Sequence, residues 1–338
     1  MLPTTWIFFE RYFKYLSKHR EFIPPKKNLF DSATILVDYI VQNKTLQHSL
    51  LPLKSVKSWA ESGLNIKNVY ISTNPREIDS EIVIITGDWC KQTKPHLKFF
   101  IPAFRLAREI HKQNKPIWFM AGDTYNLHLI IAASILVSKC GGSIILQQNT
   151  REEALKFGIP FPSGPHIWLF NPDNLYLFIS ETPWISRPNQ ILFAVSGDDQ
   201  RQMLYEKSRQ KLVNLGWNVV PGNHQYDWPS YRELNKQTRI NVILSLRQSA
   251  IEKRLRFLRQ RASQYTVSSR VFEGFCAGSL VVTNTNPILE KLGFEPNLHY
   301  LDANLFFEDD FEMPSDESLQ HIAQAGSNFF IDLVKSRV

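Results

Sequence analysis

Cysteine is scarce: three residues in 338, at Cys90, Cys140 and Cys276. The odd count and the absence of any Cys-x-x-Cys spacing exclude a disulfide framework and a cysteine-based zinc site, and they fit a reducing, cytoplasmic compartment. Long apolar runs are also missing. Glu10 and Arg11 stop the run Trp6-Ile7-Phe8-Phe9 too early for a signal peptide, and the stretch from Leu127 to Val137 is broken by His128 and too short to cross a bilayer. A soluble protein is the expectation. Glycine is thin where a dinucleotide enzyme needs it: Gly197 stands alone in Gly197-Asp198-Asp199-Gln200-Arg201, so G-x-G-x-x-G is absent and no nicotinamide cofactor is expected.

What is present is a chain long enough for two ordinary domains, with 43% hydrophobic residues to fill their cores. Acidic residues are outnumbered, and the net charge of +7 with a pI near 9.2 calls for an anionic partner without choosing among nucleotide, acidic glycan, phospholipid and nucleic acid.

Residues 1–28 mix aromatic side chains with Arg11, Lys14, Lys18 and Arg20, the pattern of a helix that either packs by its aromatic face or lies on a membrane surface. From Leu29 to Pro188 strands and helices alternate as in a parallel sheet. Strands are predicted at 34–37, 68–72, 82–86, 116–120, 143–147 and 166–170, with helices at 96–113 and 126–140. Two apolar strands deliver Gly-Asp to their carboxyl ends, at Gly87-Asp88 and Gly122-Asp123, and His128 follows one turn into the next helix. Asp123, Asp88 or His128 there either takes a proton from a hydroxyl or caps and flanks a helix. The proline-bearing stretch 171–189 reads as a link, and a second alternating region follows.

The most informative stretch is Tyr265 to Leu301. Ser268 and Ser269 suit a helix start, Val271, Phe272, Phe275 and Cys276 recur at helical spacing, and Gly278 ends the segment. Leu280-Val281-Val282 is a short buried strand, the loop 283–286 follows its carboxyl end, and Asn286-Pro287 opens another helix. Glu273 is thereby placed beside the crevice where open α/β sheets bind ligands, and the amides of the loop stand where an anion is welcome. By spacing alone, Arg270 and Glu273 would equally serve as a surface ion pair.

Arg270-Val271-Phe272-Glu273, Gly278 five residues on, and Val281-Val282-Thr283 resemble the donor-binding signature of GT-B glycosyltransferases, and are most similar to the CgeB-like group. The resemblance covers residues 190–302 well and the N-terminal half in outline. It implies two Rossmann-like domains with parallel sheets facing across a cleft: an acceptor domain at 29–188, a donor domain at 189–314, and a terminal helix at 315–338 that packs back on the domains. It implies a nucleotide-diphosphate sugar as donor substrate and no metal. Glu273 would hold the donor ribose, Thr283, Asn284 and Thr285 would meet the diphosphate, Arg270 and Arg201 would neutralise it, and Arg247 would meet the diphosphate or the acceptor, with Gly197 and Gly278 shaping the site. Asp123 and His128 become the candidate catalytic pair. Tyr265 stands where many retaining relatives carry a second Glu, so the stereochemical outcome is left open. No Asp-x-Asp follows a strand, against a metal-dependent single-domain transferase. The alternatives are a GT-B-like protein that binds without turnover, and a basic protein using the Arg-rich stretch 247–261 on nucleic acid or an anionic surface, although no nucleic-acid module surrounds it.

Overall fold

The computed structural model describes residues 3–37, 47–86, 100–121, 127–147, 149–194, 199–222, 228–244 and 267–336. The chain divides into two compact units, one running through Asp173 and the other beginning at Asn174.

The first unit contains α1 (Pro3–Leu16), β1 (Ser32–Leu36), α2 (Gln47–Ser58), β2 (Asn68–Ser72), β3 (Ile82–Thr86), α3 (Phe100–Lys112), β4 (Ile117–Ala121), α4 (Leu127–Cys140), β5 (Gly142–Leu146), α5 (Arg151–Lys156) and β6 (Pro162–Ser163). All six strands pair in parallel in the order β2-β1-β3-β4-β5-β6. Every residue of β3, β4 and β5 is buried, which is why these strands read as unbroken apolar runs. On one face Val83, Ile85, Ile117 and Phe119 pack with Phe13 of α1, Ile110 of α3 and the apolar side of α4. Gly142 begins β5 at φ +106°, and a Cβ there would stand 1.9 Å from the Ile117 carbonyl oxygen, so only glycine fits.

The second unit contains β7 (Gln190–Phe193), α6 (Asp199–Asn214), β8 (Asn218–Pro221), α7 (Trp228–Gln237), β9 (Ile240–Val242), α8 (Ser269–Cys276), β10 (Leu280–Thr283), α9 (Pro287–Leu292), β11 (Leu301–Asp302), α10 (Ala303–Phe306) and α11 (Asp316–Ser336). Its five strands are parallel in the order β11-β10-β9-β7-β8. The terminal helix α11 belongs to this unit. Its Leu319 and Ala323 join the core of β7, β9 and β10, and Phe330 stacks on Phe272 with centroids 5.5 Å apart.

Both units are therefore doubly wound, Rossmann-like α/β domains, as expected. In each, strand order reverses between two neighbours, β1 with β3 and β7 with β9, and the carboxyl ends of such neighbours are where these sheets take ligands. One predicted strand is absent. Residues 166–170 form a turn whose Ile167, Trp168 and Phe170 are buried, and the edge pairing falls to Pro162–Ser163 instead. The apolar run signalled burial, which a tucked turn satisfies without a ladder.

Candidate functional site

Helix α8 owes its position to both ends. At its start the Ser268 hydroxyl accepts from the Arg270 N–H at 3.3 Å, satisfying one of the free amides of the first turn. In its middle Gly274 lies on the sheet: a Cβ there would come within 2.8 Å of Val281 Cγ2 and 3.6 Å of Asn241 Nδ2. At its far end the buried Arg187 donates to the carbonyls of Ala277 at 2.8 Å and Gly278 at 3.3 Å, a cation where the helix dipole is negative. Burial and the neighbouring Arg239 lower Arg187 to about 10.

With Gly274 on the sheet, Glu273 sits inward, in the electrostatic company of Tyr231 and Arg232 of α7. The residue is 1% exposed, and neither carboxylate oxygen has a hydrogen-bond partner. Burial raises its pKa to about 7; Arg270, the Ser269 hydroxyl and Arg232 pull the other way, Ser269 without closing a bond of good geometry. Arg270 is half-buried with its guanidinium 5.0 Å from the Tyr231 ring centroid, and Arg232 lies 5.9 Å from the Phe178 centroid with a buried Nε that meets no acceptor. Burial, then the Glu273 charge, push the Tyr231 hydroxyl well above its ordinary value.

A second set of unpartnered polar atoms stands at the carboxyl end of β10 and beyond it: Thr283 Oγ1, Asn284 Oδ1 and the Tyr300 hydroxyl. Burial raises the Tyr300 pKa while the Thr285 hydroxyl acts to lower it, so Thr285 and Tyr300 are close neighbours. Asn286 caps α9 by accepting from the Ile288 N–H at 2.9 Å, with Pro287 at the first helical position. Buried polar groups in a folded chain are almost always paired. A carboxylate, a guanidinium nitrogen, a threonine hydroxyl and an asparagine oxygen left without partners in one domain are what a polar ligand would complete.

Of the residues singled out by sequence, Arg270 falls in the first turn of α8, Glu273 in the middle of that helix, and Thr283, Asn284 and Thr285 at the carboxyl end of β10 and just beyond it. Gly278 follows the last turn of α8 at φ +68°, ending the helix ahead of β10, and accepts from Arg187 through its carbonyl. Arg201 occupies the first turn of α6 and His128 the first turn of α4, their side chains outside the described residues. Asp88, Asp123, Gly197, Arg247 and the Arg-rich stretch 247–261 also lie outside the described residues. Sequence reasoning missed Tyr231, Arg232, Tyr300 and Arg187. An aromatic-basic pair on a short helix carries no spacing signal; only the fold brings it to Glu273. Among the described residues no three His, Cys, Asp or Glu side chains gather as a metal site.

No known protein family and no curated protein matches the chain. Among solved structures, Anabaena HepE in complex with UDP and glucose aligns with a TM-score of 0.47 and 9% identity over 90% of this chain and 95% of its own. AviGT4, a glycosyltransferase involved in avilamycin A biosynthesis, aligns at 0.43 and 10% over 91% and 97%. A glycosyltransferase from Rickettsia africae ESF-5 aligns at 0.41 and 10% over 91% and 95%.

Proposed function

We propose that the protein is a GT-B glycosyltransferase of the CgeB-like kind, moving a sugar from a nucleotide-diphosphate sugar to an acceptor hydroxyl without a metal. The observation that carries this reading is the pair of unpartnered oxygens of Glu273, buried in the middle of helix α8 of a doubly wound domain. A carboxylate with two free acceptors is matched by the two adjacent hydroxyls of a ribose, which donate one hydrogen bond to each oxygen. Arg270 and Arg232 beside the carboxylate are half-buried where Glu273 and Tyr231 are buried, so a ribose reaching Glu273 would displace these two side chains.

In this arrangement Thr283, Asn284 and Thr285 meet the diphosphate, and Arg270 with Arg201 offsets its charge. When the bond from the anomeric carbon to the diphosphate oxygen breaks, its electron pair leaves with the nucleotide, and fixed cationic donors stabilise the charge that develops. The acceptor oxygen forms the new bond and gives its proton to a base, for which Asp123 and His128 of the first domain are the candidates.

Isothermal titration with UDP, GDP and ADP, with and without EDTA, tests the donor site. Binding of one diphosphate, unchanged by EDTA and reduced by Glu273→Gln, is the expected result. The reading is overturned if none binds at millimolar concentration, or if the Gln variant binds as the wild type does.

A further inference from the structure

Helices α1 and α3 of the first domain share a surface that the donor reading does not use. On α1, Phe8, Tyr12 and Tyr15 recur at i, i+4 and i+7, with Phe8 64% and Tyr15 75% exposed. On α3 the outward stripe begins with Ile101 and Phe104, 52% and 38% exposed, and continues as Arg105, Arg108 and Lys112. The two helices meet through Tyr12, which stacks on Phe8 of its own helix at 6.3 Å and meets Phe104 of α3 at 6.0 Å. Beside that contact is a cavity of about 470 Å³ between α1, α3 and α4, with Leu16, Ala107 and Ile135 in its wall and Arg108, His111 and Lys139 among its polar lining.

The charge on this surface is of one sign. Glu10 and Glu109 are the acids of α1 and α3, and both are half-buried, whereas Arg11, Lys14, Arg105, Arg108 and Lys112 occupy exposed positions. Glu109 is already engaged by Lys112 at 3.0 Å and Arg76 at 3.9 Å. Among the described residues Arg11, Lys14, Arg105 and Arg108 have no carboxylate within ion-pair distance. Among those residues, too, no helix is long and apolar enough to cross a membrane.

We infer that this face of the first domain docks on an anionic phospholipid bilayer, the exposed aromatics entering the headgroup layer and the arginines and lysines engaging lipid phosphates, one of them within the α1–α3–α4 cavity. Aromatic rings that are part apolar and part polar are suited to the headgroup depth, and cations flanking them gain from the negative surface potential. An apolar patch with cations on its margin and no exposed acid complements such a surface.

Co-sedimentation of the full chain with vesicles of phosphatidylcholine alone, or of phosphatidylcholine with phosphatidylglycerol, tests the inference. The expected result is binding to the anionic vesicles only, released by salt. Arg105→Glu with Arg108→Glu, and independently Phe8→Ser with Phe104→Ser, each weaken binding at least about tenfold, the arginine pair with an unchanged urea midpoint because both side chains are exposed. Three outcomes overturn it: no binding to either vesicle, equal binding to neutral and anionic vesicles, or variants that bind like the wild type. Self-association abolished by Phe8→Ser with Phe104→Ser overturns it too, since the face would then belong to a second copy of the chain.

Discussion

The guanidinium of Arg270 lies over the ring of Tyr231, 5.0 Å from its centroid, and this contact joins the start of α8 to α7 directly beside the Glu273 carboxylate. Arg270 thus does two things at once: it stacks on an aromatic face and it is the strongest influence holding the Glu273 pKa down against burial. Replacing it with Met removes the charge while keeping much of the stacking bulk. The Glu273 pKa is then expected to rise further above about 7, read by nuclear magnetic resonance of the labelled side chain, and nucleotide affinity is expected to fall.

Burying Glu273 gives the fold a pH dependence of definite sign. Its folded pKa of about 7 lies above the ordinary 4.5, so between these values the native state holds a proton that the unfolded chain has released. Stability therefore falls as pH rises through this window and levels off above about 7. Glu273→Gln removes the titration. The stability difference between variant and wild type, from urea denaturation, is expected to shift in favour of the variant by on the order of 3 kcal/mol between the bottom and top of the window. A difference independent of pH would show that the carboxylate is not buried as described.

The same ionisation reports on ligand. A ribose diol donates to an ionised carboxylate more fully than to a protonated one, so nucleotide binding is expected to strengthen as pH rises through about 7 and to release protons below it. Calorimetry in buffers of different ionisation enthalpy counts those protons. The dependence is expected to vanish in Glu273→Gln.

Much of this architecture was legible in the residues. Ile82-Val83-Ile84-Ile85 and Ile117-Trp118-Phe119-Met120 can only be strands covered on both faces, and Ser268, Gly278 and Asn286-Pro287 punctuate the second domain where their chemistry dictates. Glu273 was legible because its partners in the motif are neighbours in sequence. Tyr231 and Arg232 were not, because they come from a helix about forty residues earlier and acquire meaning only when parallel crossovers lay α7 beside α8. Gly278 was legible as the residue that ends α8, since a glycine after the last apolar position of a helix can take the left-handed turn, and its φ of +68° and the bond from Arg187 to its carbonyl fit that role.

Gly274→Ala tests how closely α8 must approach the sheet. The added methyl would meet Val281 Cγ2 at 2.8 Å, and the backbone there is ordinary helix, so the cost is steric. Overpacking of this kind costs about 1–3 kcal/mol. Because Glu273 is adjacent, the displacement of α8 is expected to weaken nucleotide binding as well. Val281→Ala in the same chain, by removing the opposed methyls, is expected to restore much of both.

Arg187 is expected to be the least replaceable cation of the second domain. Its Nε donates to the Thr182 carbonyl at 3.0 Å, Nη1 to those of Thr238 at 3.2 Å and Gly278 at 3.3 Å, and Nη2 to Ala277 at 2.8 Å. One planar group thus ties the chain before β7 to the ends of α7 and α8. Arg187→Met strips four carbonyls of a charged donor, those of Thr238 and Ala277 in buried bonds, a loss of roughly 3–5 kcal/mol. Lysine keeps the charge but offers one ammonium in place of a fork, cannot satisfy acceptors in three directions, and is expected to recover less than half of that loss. Amide exchange then separates this role from a general loss of stability. In Arg187→Lys the amides of Ser279 and Leu280, which bond to Gly274 and Arg239, are expected to lose protection well before those of β7, since the end of α8 is what the fork holds. Uniform loss of protection across the domain would show that Arg187 contributes to the core as a whole and does not anchor the helix that carries Glu273.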